Sequence, residues 1–176
     1  TYDLKEPLTI ECPLSIHGAG QDNTIIQGKG IEIEGKKEEG KNVVLKDMTI
    51  SETSGSGVYG RDGLSWLCDS LTITQCGWKG VIAYNTKGRL INCVITQCRW
   101  SGIFSGENAL IELEGEQTKV DGNVTRERRY DYGLFIHDKS STIHLLFPLT
   151  KESVSSNNRG GRNYNSHGTI ETVKSF

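Results

Sequence analysis

A nine-residue segment occurs twice in this chain. Ile73-Thr74-Gln75-Cys76-Gly77-Trp78-Lys79-Gly80-Val81 and Ile95-Thr96-Gln97-Cys98-Arg99-Trp100-Ser101-Gly102-Ile103 are identical at six of nine positions, with an offset of 98 − 76 = 22. One period earlier, Met48-Thr49-Ile50-Ser51 leads to Gly57-Val58, at 71 − 48 = 23 from Leu71-Thr72-Ile73-Thr74. One period later the Gly-apolar pair returns as Gly133-Leu134, at 133 − 102 = 31, so about nine residues are inserted there. A short fixed period marks a chain whose units cannot bury an apolar face alone and must stack.

The pattern between the anchors is short apolar alternation, as in Leu71/Ile73, Val81/Ala83, Val94/Ile95, Ile111/Leu113, Leu134/Ile136 and Ile143/Leu145, broken by Gly, Asn, Asp and Ser. Runs of three to six such residues are strands. A 22-residue unit does not comfortably hold a strand, a helix and two loops, but has room for three short strands and three turns. The 21 glycines in 176 residues, about 12 % against a typical ~7 %, fit many turns. The Leu-x-x-Leu-x-Leu-x-x-Asn signature of a leucine-rich repeat is missing. The spacing predicts an all-β, right-handed parallel β-helix of roughly 22-residue coils, in one domain over residues 1–176.

Composition removes other classes. Twenty Lys+Arg against 22 Asp+Glu give a net charge of −2, without the basic excess expected of a nucleic-acid binder. No apolar run approaches the ~18 residues of a membrane-spanning helix. The chain opens without an initiator Met or an apolar leader, so a signal peptide is expected to be absent or already removed. Five cysteines (Cys12, Cys68, Cys76, Cys93, Cys98) form no CxxC pair and no zinc spacing. Free thiols are expected, with a lean towards a reducing, intracellular compartment. The sequon Asn123-Val124-Thr125 matters only in a secreted chain. His17, His144 and His167 lie in different coils and read as structural.

Two segments resemble a known superfamily. Pro13-Leu14-Ser15-Ile16-His17-Gly18-Ala19-Gly20-Gln21-Asp22-Asn23-Thr24-Ile25-Ile26-Gln27-Gly28 is similar to an early coil of pectate-lyase-like and pectinesterase-like β-helices. Gly88-Arg89-Leu90-Ile91-Asn92-Cys93-Val94-Ile95-Thr96-Gln97-Cys98, running on to Gly102-Ile103, resembles the general parallel β-helix repeat. The likeness covers most of residues 8–173 and implies fold more than chemistry. That superfamily holds polysaccharide lyases, hydrolases and epimerases, viral tail proteins and recognition modules without catalysis. The paired-aspartate and Gly-His-Gly motifs of its polygalacturonase-like enzymes do not occur here, nor does the Asp-Pro-His-Asp motif of alginate epimerases.

Alignment on the Gly-apolar anchor places Arg61, Tyr84, Gly106 and His137 in one column and Asp62, Asn85, Glu107 and Asp138 in the next. Asx residues at turns satisfy local backbone groups. The functional reading puts the Glu107 and Asp138 carboxylates one coil apart, about 5 Å. Such a pair suits a hard cation such as calcium, or a raised pKa for acid–base work. Arg61 and His137, with Lys139, are the cations and bases nearby for lyase-type chemistry.

Trp78 and Trp100 should stack on adjacent coils, either inward as a core ladder or outward as a platform for sugar rings. The insertion makes 121–132 the candidate recognition loop, with Arg126, Arg128, Arg129, Tyr130 and Tyr132 suited to an acidic ligand. Residues 151–168 read as a Gly/Asn-rich loop before a last strand. The primary expectation is a ligand-recognition β-helix for a carbohydrate polymer. A uronate-directed lyase or epimerase, and a structural or protein-interaction module, are the alternatives. No organic cofactor, nucleic acid or membrane partner is expected. A solenoid also exposes its terminal coils, so contact there with a second copy or with further chain is expected.

Overall fold

The computed structural model describes residues 1–126 and 130–174. The backbone winds seven times around a three-sided prism, visiting the faces in the same order each time. The first face stacks Ser15–His17, the first half of Val43–Thr53, the first half of Trp66–Thr74, then Lys87–Ile91, Leu110–Glu114, Thr142–Leu146 and Thr169–Val173. The second stacks Tyr2–Leu4, Ile25–Gly28, the latter halves of the same two long strands, then Val94–Thr96, Lys119–Asp121 and Ser155–Ser156. The third stacks Leu8–Ile10, Ile31–Ile33, Val58–Arg61, Val81–Tyr84, Ile103–Gly106, Leu134–Ile136 and Tyr164–Ser166. Every pairing is parallel. Val43 lies beside Trp66, Trp66 beside Gly88 and Gly88 beside Ile111, offsets of 23, 22 and 23. The period read from the sequence is therefore that of the central coils. Beyond them it stretches to 32 between Leu110 and Thr142 and 27 between Thr142 and Thr169.

Single residues in the left-handed backbone region make many of the corners. Asp47, Ser70 and Asn92, with φ of 54°, 56° and 50°, turn the first face into the second. Glu52, Gln75, Gln97 and Asn157 turn the second into the third, and Asp62, Asn85 and Glu107 turn the third into the first. That conformation costs an ordinary residue roughly 1–2 kcal/mol, less for Asn and Asp, whose side chains bond locally. The ladder on either side of each corner holds it in place.

Alternation then sends one residue in two into the prism. Ile31, Val58, Val81, Ile103 and Leu134 of the third face meet Ile50, Ile73, Ile95 and Val120 of the second and Leu45, Cys68, Leu90, Ile111 and Ile143 of the first, all buried. The anchor glycines have a steric explanation. A Cβ on Gly57 would stand 2.5 Å from Ile73 Cγ2, and one on Gly80 or Gly102 would overlap Ile95 or Val120. Cys76 and Cys98 sit beside these glycines, and in the next two coils Asn123 and Asn158 take the place of the thiols. Asn123 Oδ1 accepts from the Cys98 N–H at 3.0 Å, and its Nδ2 donates to the Ile95 carbonyl at 2.9 Å. Asn158 repeats this one coil on, accepting from the Asn123 N–H at 3.0 Å and donating to the Val120 carbonyl at 3.1 Å. The sequon residue is thus 1 % exposed with both ends of its amide engaged.

Of two regions read as loops, the described residues of the first form no strand or helix beyond Asp121 but are partly buried, and the second holds regular elements. In 121–132, Asn123 and Val124 are core residues, and Asp131 is buried, accepting from Ser101 Oγ at 3.0 Å. Residues 151–168 form no open loop. A four-residue helix, Lys151–Val154, is capped by Thr150, and two strands and a 3-10 turn then complete the seventh coil. The chain there is poor in apolar residues because Asn158 and Ser155 close the coil with hydrogen bonds. No helix among the described residues is long and apolar enough to cross a membrane.

Trp66, the largest fully buried side chain, lies against Gly60 and Gly88, where added Cβ atoms would overlap its ring. Gly88→Ala should therefore lower the unfolding free energy by about 1–3 kcal/mol or more, since overpacked cores strain. Gly55→Ala, in open space with an ordinary φ, should stay within about 0.5 kcal/mol. Urea unfolding of the two variants checks the pair. Cys76 and Cys98 are equivalent residues of neighbouring coils and both are free. Their Cβ vectors run side by side, so mass spectrometry of the unreduced, alkylated protein should find no bridge between them.

Candidate functional site

The middle residue of each short strand on the third face points away from the core. Successive coils place Tyr59, Ile82, Phe104 and Phe135 there in register. Four apolar residues thus line the outside of a sheet. Ile82, Phe104 and Phe135 are nevertheless only about 5 % exposed, because side chains of the flanking positions fold over them. Tyr84 lies 5.4 Å from Phe104 and 5.9 Å from Tyr59, centroid to centroid. Phe104 and Phe135 meet edge to face at 5.5 Å, and Tyr132 covers Phe135 at 5.6 Å. Gly106 makes room for this, since a Cβ there would stand 2.9 Å from the Tyr84 ring.

On the edge towards the second face, Trp78 and Trp100 stack outside the prism, 5.1 Å apart with planes inclined by 25°. Of the two arrangements open from sequence, the outward one holds, and Trp78 is 50 % exposed. Lys79 joins the two aromatic groups, its ammonium 5.3 Å from the Trp100 ring and 4.5 Å from that of Phe104. A cation over aromatic faces is held by their quadrupoles. At the open end of the stack, Trp78 and Tyr59 are walls of a cleft of about 300 Å³ that also meets Lys29, Glu32 and Ser54–Ser56. Burial, with the acidic groups Glu32, Asp62 and Glu107 around it, raises the Tyr59 phenol despite the opposing pull of Arg61. Burial likewise raises Tyr84. Both phenols stay protonated at neutral pH and present O–H donors.

The column expected to carry acid–base or calcium chemistry is occupied differently. Asp138 Oδ2 accepts the Glu107 backbone N–H at 2.6 Å, and Oδ1 accepts Ser140 N–H, Ser140 O–H and Ser141 O–H at 3.0, 2.6 and 3.0 Å. Partial burial pulls this carboxyl upward, but the four donors outweigh it and hold its pKa at about 2. Asp138 therefore locks two successive corners together, through the backbone of Glu107 and not its carboxylate. Arg61 is paired with Glu34, with its guanidinium 5.7 Å from the Tyr59 ring centroid. His137 is exposed at the margin of the aromatic face, 5.9 Å from Phe104. Among the described residues no group of three or more His, Cys, Asp and Glu converges to hold a metal. Of the loop residues, Arg126 is exposed on the second corner, Tyr130 is exposed and Tyr132 belongs to the aromatic face. Arg128 and Arg129 lie outside the described residues.

The sequence reading missed Tyr59, Ile82, Phe104 and Phe135. In Val58-Tyr59-Gly60, Val81-Ile82-Ala83, Ile103-Phe104-Ser105 and Leu134-Phe135-Ile136 the inward anchor fixes the next residue as outward, so strict alternation would have found them.

The model of the right-handed β-helix region matches residues 14–147. The chain belongs to that family. No curated protein matches this chain, and no solved structure does. Membership fixes the right-handed β-helix, and the chemistry has to be read from the outside of its coils.

Asp138→Asn replaces one of the two acceptor oxygens by a donor, so either the Glu107 N–H or the Ser140 and Ser141 donors lose their acceptor. The substitution should cost about 1–3 kcal/mol of stability at neutral pH. Because the carboxyl is held below its ordinary 3.8, its contribution is complete above pH 4 and is lost as pH falls through about 2. Denaturation of wild type and variant at a series of pH values should show the gap closing over that acid range.

Proposed function

We propose that this β-helix is a carbohydrate-polymer-recognition protein that binds its ligand along the outer side of the third face. The observation carrying the reading is the outward Trp78–Trp100 stack beside the half-buried rings of Tyr59, Tyr84 and Tyr132, which lie over a buried floor of Phe104 and Phe135, with Lys79 between the two groups. Strand spacing repeats these groups at about 4.8 Å along the axis, so a ligand that is itself a repeating chain can meet like groups at successive coils. Sugar rings have apolar C–H faces and hydroxyl rims. Indole and phenol rings offer flat apolar surface to the first, and the Tyr59 and Tyr84 hydroxyls, Glu32 and Lys29 offer hydrogen bonds to the second. The ligand is held here and not turned over. Asp138 and Arg61, two of the groups that lyase-type chemistry would call on, are committed to partners within the chain.

The test is affinity electrophoresis and calorimetry against a panel of neutral and uronate-containing polysaccharides, with a parallel absorbance assay for unsaturated uronate products. At least one polymer should retard the protein, with no unsaturated product. Trp78→Ala should weaken that binding about tenfold, equivalent to ~1.4 kcal/mol, and Trp78→Phe should restore part of it. Retention of none of the panel, or equal binding by wild type and Trp78→Ala, would contradict the reading.

A further inference from the structure

Most basic side chains on the ladder faces have acidic partners one coil away. Lys46 meets Asp69 at 2.7 Å, Lys87 meets Glu112 at 3.2 Å, Arg89 meets Glu114 at 2.6 Å, and Arg61 meets Glu34. Arg99 and Arg126 do not follow this rule. They line a cleft of about 360 Å³ at the corner between the second and third faces, with Gln75, Cys76, Gln97 and Thr125. Arg126 donates its backbone N–H to the Arg99 carbonyl at 3.1 Å, so the two arginines extend from neighbouring coils. Among the described residues no carboxylate lines the cleft, and neither guanidinium has a carboxylate within 4.0 Å. Arg99 Nε is shielded from solvent and has no acceptor among the described residues, so this one donor is unspent. The protein carries a net charge of −2, so two unmatched cations together are not a by-product of a basic chain.

The walls are fixed by the fold. Gln75 and Gln97 are corner residues with φ of 55° and 54°, held exposed on consecutive coils. Arg159 donates from Nη1 to the Thr125 carbonyl at 2.7 Å, pinning the far wall and adding a third cation at the rim. We infer that this cleft binds a tetrahedral oxyanion, a phosphate or sulfate group either free or esterified to a larger ligand. Two guanidinium groups arriving from adjacent coils offer forked N–H donors to separate oxygens, and the glutamine amides can donate to the remaining ones. The inference stands apart from the glycan reading, since it uses none of the residues of the aromatic strip.

Inorganic phosphate and sulfate are the first probes, titrated into the whole protein at constant ionic strength with chloride as the reference. Calorimetry and thermal unfolding should both register binding beyond chloride. Arg126→Gln, an exposed substitution that should not disturb folding, should weaken it at least tenfold. Arg99→Gln should do the same, and Arg99→Lys should recover only part, because a point charge replaces a fork. Trp78→Ala should leave it unchanged. An oligosaccharide sulfate or phosphate ester binding at least tenfold more tightly than the free ion would identify a ligand-borne group. Equal affinity would identify the free ion. Phosphate and sulfate behaving as chloride, or full binding by Arg126→Gln and Arg99→Gln, would overturn the inference. Neutral-glycan binding that persists after such a result leaves the aromatic-strip proposal standing, and its loss with oxyanion binding intact removes only that proposal.

Discussion

The parallel hydrogen-bond ladder between coils places the side chains of every strand in this molecule. It sets the strand spacing, forces like positions into columns and makes each column either wholly inside or wholly outside. Val58, Val81, Ile103 and Leu134 fill the core because they share one register position. Tyr59, Ile82, Phe104 and Phe135 share the next and stand outside. An aromatic row on the outside therefore needs no special loop or pocket. It follows from placing aromatic residues one step after each inward anchor, and the ladder does the alignment.

Keeping the ladder in register around three corners per coil is the demanding part. The corners use one or two left-handed residues, many of them Asn, Asp, Gln or Glu, whose backbone groups must be satisfied on the spot. Asp138 does this for Glu107 with a side-chain acceptor, and Asn123 and Asn158 do it inside the prism where thiols serve in earlier coils. The exchange of Cys98 for Asn123 coincides with the inserted segment before Gly133. A longer, less regular connection leaves more backbone groups to be paired, and Asn123 pairs three, one N–H and two carbonyls, where the Cys98 thiol pairs one carbonyl.

The repeat carried the fold. Offsets of 22 and 23 between Gly57, Gly80 and Gly102 were enough to fix the coil, the three faces and the inward columns. The site was less legible for two physical reasons. Periodicity states which residues share a column but not what the column does, so Glu107 and Asp138 fell in one column with a turn-satisfying and an acid–base or cation reading both open; the contact between them runs through a backbone N–H. Sequence also cannot weigh how far a side chain leans. Trp78 and Trp100 precede the inward anchor at a corner, where strand alternation no longer dictates direction, and the outward stack follows from tertiary packing against Lys79 and Phe104. Past Gly102 the period breaks, and residues 151–168, poor in apolar side chains, hid two of the three sides of a coil, held by Ser155, Asn158 and Asn163.

Tryptophan emission tests the central claim most directly, because the three indoles divide cleanly. Trp66 is buried among Gly60 and Gly88, whereas Trp78 and Trp100 form the outward stack. Acrylamide quenching in the absence of ligand should report chiefly Trp78. With a bound polysaccharide at saturation, the accessible fraction should fall and the emission shift to shorter wavelength, as the indole faces are covered. A polysaccharide that binds while quenching and emission stay unchanged would contradict the assignment of the aromatic face.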